Sequence, residues 1–163
     1  MAEKGYLKQG IQHLNTAMEA YRRHGAGSSL PKFYGLLADR LGEDRQYDAA
    51  LCYLDQAQAH IERTGERANE AETWRLRSKL LFARNPDDLV SAATCVRQAI
   101  DIAREQEAKA WELRATTTLA LILHYHGRRQ EARQCLAPVY GWFREGLNTP
   151  DLHDAHCLLR ELS

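Results

Sequence analysis

A small-residue and apolar signature returns along this chain at a nearly constant interval, and it constrains the fold more tightly than any single residue. Ala50-Leu54-Ala57, Ala92-Val96-Ala99 and Ala132-Leu136-Val139 carry it, with a fourth copy at Gly10-Leu14-Ala17. Subtracting 10 from 50, 50 from 92 and 92 from 132 gives intervals of 40, 42 and 40 residues. An interval of that length is the mark of stacked helical hairpins, each unable to bury its apolar face without a neighbour. The expectation is an all-α fold: a right-handed superhelical array of antiparallel hairpins with seven to eight helices, spanning residues 1–163 as one domain.

Composition supports this and removes alternatives. With 44% apolar and 27% charged residues in 163 positions, the chain can bury a substantial core and does not read as disordered. Lysine plus arginine and aspartate plus glutamate each total 22, so no broad field favours nucleic acid or an anionic membrane, and neither is expected as a partner. Arg22-Arg23 and Arg128-Arg129 read as solvated helix ends. No apolar run approaches the roughly 20 residues of a membrane span, and Met1-Ala2-Glu3-Lys4 opens without the apolar segment of a signal peptide; a cytoplasmic location is expected. Cys52, Cys95, Cys135 and Cys157 lie far apart and form no metal-knuckle pair, so they read as reduced, packed thiols.

Periodicity places the helices. Leu7, Ile11, Leu14, Met18 and Tyr21 recur in alternating steps of four and three, which predicts a first helix over 5–23, ended by Gly25-Ala26-Gly27. Ser28 or Ser29 then caps a helix with Pro31 in its first turn and a stop near Gly42. Hairpins are predicted over about 30–63, 68–105 and 108–144, and a terminal helix over 150–162 starting at Thr149-Pro150-Asp151. Asn85-Pro86-Asp87-Asp88 reads as the turn inside the second hairpin, with asparagine capping. Leu119 to Leu123 is too broadly apolar for a surface helix and reads as buried between neighbours. Pro138 removes one backbone hydrogen bond and predicts a kink or break in the seventh helix.

The leading helices carry a family register. Tyr34-x2-Leu37-Ala38-x2-Leu41 and Thr116-x2-Leu119-Ala120-x2-Leu123 have the large, large-small, large spacing of tetratricopeptide repeats, and Trp74-x2-Arg77-Ser78-x2-Leu81 matches less well. HEAT-like repeats are the structural rival, since a 40-residue period fits them by length. Further stretches are Trp111-Glu112-Leu113-Arg114-Ala115, Gly127-Arg128-Arg129-Gln130-Glu131-Ala132-Arg133, Leu136-Ala137-Pro138-Val139-Tyr140-Gly141-Trp142-Phe143 and Thr149-Pro150-Asp151-Leu152. With Glu62 to Arg67 as an inter-repeat junction, these resemble the tetratricopeptide-like tails of bacterial adenylate or guanylate cyclase-type and ATPase-type signalling proteins. The resemblance implies a role in bacterial signalling and is silent about the enzyme, whose cyclase and nucleotide-binding regions lie upstream of such tails. The chain carries neither a G-x-x-x-x-G-K-[ST] nor a G-x-G-x-x-G phosphate loop. It opens in what should be a trailing helix, which points to a piece of a longer protein or a short descendant of the tail.

Chemical sites are faint. His153 and His156, with Asp151 and Asp154 nearby, offer two imidazoles on one helix, but the terminal helix is better read as docking through Leu152, Ala155, Leu158, Leu159 and Leu162. No catalytic, cofactor-binding or metal-ligating residue is assigned, and no cofactor is expected. Tyr140, Trp142 and Phe143 read as core. Lys32, Arg40, Arg75, Arg77, Lys79 and Arg114 sit on leading helices and are the candidates for a concave binding face, suited to an acidic protein or peptide partner. Leu7, Ile11, Leu14, Met18 and Tyr21 form a stripe without a preceding helix and are the candidates for homodimer formation. The expected function is a non-catalytic module for protein or interdomain contacts; the alternative is a regulatory ligand-sensing or metal-binding helical domain.

Overall fold

The computed structural model describes residues 2–23, 29–145 and 148–163, with the side chains of residues 2–8, 15 and 22 outside the described set. Among the described residues the chain forms eight α-helices and no strand: α1 (Ala2–Arg23), α2 (Leu30–Glu43), α3 (Tyr47–Thr64), α4 (Glu70–Arg84), α5 (Leu89–Glu105), α6 (Lys109–Tyr125), α7 (Arg129–Tyr140) and α8 (Pro150–Glu161). Of these helices, none is long and apolar enough to cross a membrane. The expected ending at Gly25-Ala26-Gly27 and the cap at Ser28 fall outside the described residues.

Three pairs, α2/α3, α4/α5 and α6/α7, pack intimately as antiparallel hairpins. The leading helices also pack on one another in series, α2 on α4, α4 on α6 and α6 on α8. Among the described residues, no succession of comparable extent runs along α3, α5 and α7. Two layers result, one made of neighbouring leading helices and the other of trailing helices set apart.

The interior follows the spaced small and large residues. Ala50, Ala92 and Ala132 are wholly buried, as are Leu54, Val96 and Leu136 four residues on. The small residue lets two helix backbones approach, and the large one fills the gap beside it. On the leading helices Ala38, Ser78 and Ala120 are equally buried. Ser78 can replace alanine there because its hydroxyl donates to the Ala92 carbonyl at 2.7 Å, so no polar atom is stranded. The fourth copy departs from this register. Gly10 and Ala17 are exposed, and Met18 is the deeply buried residue of α1, packed with Leu30, Tyr34, Leu37 and Ala57.

Turn chemistry repeats as well. Arg45, Glu107 and Gly127 adopt φ of 59°, 53° and 72° after α2, α5 and α6. In each case the next amide reaches back five residues, Gln46 to the Leu41 carbonyl at 2.9 Å, Ala108 to Ala103 at 2.8 Å and Arg128 to Leu123 at 2.9 Å. This left-handed closure satisfies the last helical carbonyls and reverses the chain sharply.

Helix α2 ends at Glu43, one residue past Gly42 and where the stop was expected; a Cβ on Gly42 would strike the Leu80 side chain, so its smallness also permits close approach of α4. Three expectations about caps, helix ends and cysteines need correction. The α5 cap is Asp88 rather than Asn85, its carboxylate accepting the Ser91 amide at 3.0 Å. Helix α7 ends at Tyr140 instead of running to 144. Pro138 has no amide hydrogen for the preceding turn, and the chain leaves the helix through three-residue bonds, Trp142 to the Val139 carbonyl at 3.3 Å and Phe143 to Tyr140 at 3.1 Å. Cys52 and Cys157 are exposed rather than packed.

Candidate functional site

The seam of leading helices builds the site. Helix packing turns the faces of α2, α4, α6 and α8 that carry Asp39, Arg75, Arg114 and Asp151 toward a common hollow of about 440 Å³. A second hollow of about 290 Å³ continues it over α2 and α4, with Lys32, Gly35, Leu36 and Trp111 in its walls. Asp39, Arg75 and Arg114 border both, so the two form one groove across all four leading helices.

Ion pairs stitch that groove from helix to helix. Lys79 on α4 donates to Asp39 on α2 at 2.7 Å. Glu72 on α4 accepts from Nε and Nη2 of Arg75, at 2.7 and 2.8 Å, and pairs with Arg114 of α6 at 3.0 Å. Arg114 in turn lies 3.4 Å from Asp151 of α8, with its guanidinium 5.1 Å from the centre of the Trp111 ring. Arg75 also reaches the Thr118 hydroxyl at 3.4 Å. Thr118 and Thr117 satisfy themselves within α6 by donating to the Arg114 and Leu113 carbonyls. Their β-branched side chains thus fit a helix, and the Thr118 hydroxyl oxygen stays able to accept from Arg75.

Of the six cations singled out from sequence, Lys32, Arg75, Lys79 and Arg114 line the groove and the other two do not. Arg40 pairs with Asp39 at 3.6 Å and Glu43 at 2.8 Å beside it. Arg77 turns to the trailing layer, donating to Asp55 of α3 at 2.6 Å over the Trp74 ring. Three of the four groove cations are answered by the chain's own carboxylates, so the surface is mixed in charge rather than basic.

Neither apolar anchor reads as exposed in the sequence: Leu36 falls with Phe33, Leu37 and Leu41 on the expected buried side of the second helix, and the structure corrects that. Leu36 is 41% exposed and Leu121 50% exposed, and both border the groove. Leu121 corrects the expectation that the whole run from Leu119 to Leu123 is buried: Leu119, Ala120, Ile122 and Leu123 are inside, and Leu121 alone points out. A helical wheel isolates Leu121 from its buried neighbours but cannot say whether another helix covers it.

The remaining candidates lie elsewhere. On α1, Met18 is buried, Ile11 and Leu14 are half-buried against α2 and α3, and Tyr21 meets the Phe33 ring edge-on at 5.4 Å; the Leu7 side chain is outside the described set. Tyr140 and Phe143 pack on the core, whereas Trp142 is mostly exposed, edge-on to Phe143. His153 lies 3.8 Å from Asp154, and His156 lies 3.3 Å from the Tyr140 hydroxyl. Among the described residues, no three His, Cys, Asp or Glu side chains are grouped to hold a metal ion. Burial pushes the Cys135 thiol up to about 11, so it is protonated at neutral pH and a poor nucleophile.

One buried carboxylate is structural. Glu112, only 4% exposed, accepts from Arg104 at 2.7 Å and Lys109 at 2.6 Å. Burial alone would raise its pKa, but the two donors outweigh that and hold it below the ordinary glutamate value. Glu112 thereby ties the start of α6 to the end of α5.

No family model matches the chain, and neither does any curated protein sequence.

Proposed function

We propose that this chain is a non-catalytic, tetratricopeptide-like module that binds an extended segment of another protein, or of a neighbouring domain, in the groove across α2, α4, α6 and α8. The observation that carries the reading is the pair of exposed leucines, Leu36 and Leu121, set in a continuous groove whose walls are cross-linked by ion pairs. A leucine in a concavity gives a partner apolar area to bury, and the fixed polar groups around it give register. Serial packing of the leading helices, with the trailing helices set apart, favours a curved right-handed array whose inner surface is that groove. A location in bacterial cytoplasmic signalling, as the tail of a cyclase-type or ATPase-type protein, rests on the resemblance of the Trp111–Ala115, Gly127–Arg133 and Leu136–Phe143 stretches.

A wholly acidic partner fits less well than the six cations suggest, because it would have to displace Asp39, Glu72 and Asp151 from their cations. A peptide selected from a random display library against the intact chain tests the groove. Leu36→Asp with Leu121→Asp is expected to weaken the selected peptides at least tenfold, while Val90→Asp, at a 75% exposed position on α5, leaves them unchanged. Equal binding to all three proteins would overturn the reading.

A further inference from the structure

Resting on that reading of the groove, we infer that its partner segment is polarised in charge: an acidic residue lies over α2, apolar residues over the middle, and a basic residue over α8. The groove's charges divide into those already paired within the chain and those left over. Asp39 with Lys79, Glu72 with Arg75 and Arg114, and Arg114 with Asp151 neutralise one another across the centre. Recruiting them would break existing pairs, so they set the walls and add little attraction.

The charges left over lie at opposite ends. Lys32, on the exposed face of the first turn of α2, borders the groove and has no acidic partner among the described residues. At the far end, Asp154 and Glu161 of α8 border the groove and are exposed. The cation facing Asp154 is His153, which is charged only when protonated. Glu161 uses its main-chain carbonyl to accept from Arg129, and its carboxylate has no cationic partner among the described residues. The unspent charge therefore runs from positive at α2, where Leu36 stands one turn from Lys32, to negative at α8, with Trp111 and Leu121 of α6 between.

Length follows from packing. Neighbouring helix axes lie about 8–10 Å apart, so three steps from α2 to α8 cover roughly 24–30 Å. An extended chain rises about 3.3 Å per residue, which places the acidic and basic residues about eight positions apart. Only side chains at alternate positions face the groove, so the apolar residues fall at every second place between them.

The test sorts peptides selected from a random dodecapeptide library by charge placement, then locates one end. Selected peptides that lose binding to the Leu36→Asp, Leu121→Asp protein should carry Asp or Glu about eight positions from Lys or Arg. Alanine at either end should weaken binding about threefold to fivefold, as for an exposed ion pair. A nitroxide at the acidic end should broaden amide resonances of α2 in the native protein. In the Lys32→Glu, Asp154→Lys, Glu161→Lys protein the peptide should reverse and broaden α8 instead. Groove-bound peptides without charge asymmetry, or a nitroxide that stays at α2 after charge reversal, would overturn the inference and leave the groove standing. Peptides indifferent to the leucine substitutions would remove the groove reading itself.

Discussion

The interior between the helix layers and the groove across the leading helices are made by the same α2, α4 and α6, yet opposite physics governs them. Inside, Ala38, Ser78 and Ala120 are wholly buried and set the distance between backbones, so volume is the controlling quantity. In the groove, Asp39, Glu72, Arg75, Lys79 and Arg114 remain at least partly wet, and their pairing spans positions up to 42 residues apart, so geometry and charge control. Interior substitutions should therefore act on stability and groove substitutions on binding.

The largest effect should come from volume. Leu136→Ala removes a fully buried side chain at the centre of the α5–α8 core and should cost about 2–5 kcal/mol in urea unfolding. Next is the buried carboxylate. Replacing Arg104 and Lys109 together by methionine strands Glu112 and should cost about 3 kcal/mol at pH 7. That loss should shrink at pH 3, where the stranded carboxyl becomes protonated. In the native protein the sign is opposite: the Glu112 pKa is depressed on folding, so its stabilisation is present above the ordinary glutamate value near 4.3 and is lost as pH falls through the lower folded value. Unfolding measured between pH 7 and pH 3 on both proteins would expose the contrast.

Smaller effects belong to the groove. Arg114→Ala breaks partly exposed pairs with Glu72 and Asp151 and should cost about 1 kcal/mol or less of stability. Leu121→Ala, at a half-exposed position, should change stability by no more than about 0.5 kcal/mol while weakening a selected peptide. A loss of 3 kcal/mol from Leu121→Ala would place that side chain in the interior and erase the distinction between the two regions.

The two regions also differed in how far sequence could reach. The all-helical fold and the eight helices of the described residues, within the expected seven to eight, were legible because alternating steps of three and four, Gly127, and Pro150 after Thr149 are local signals. Where local signals competed, the outcome turned on neighbours. Gly42 marks the end of α2 as read, but its packing role shows only once Leu80 is seen beside it, and Asn85 reads as the cap of α5 until Asp88 is seen to hold the Ser91 amide. The candidate site was half legible. Arg75, Lys79 and Arg114 share a helix register that sequence can mark, but the acids opposite them come from other hairpins, and no periodicity announces which carboxylate will arrive. Leu36 and Leu121 were hidden for the same reason: an apolar residue in an apolar run looks buried until the packing shows nothing over it.

A partner lying across the leading helices must register on their backbone amides. Amide shifts of the isotopically labelled chain, followed while a selected peptide is titrated in, read out that contact. The expected perturbations cluster on α2, α4, α6 and α8 around Leu36, Arg75, Trp111, Leu121 and Asp154. Perturbations confined to α3, α5 and α7, with those residues unmoved, would contradict it.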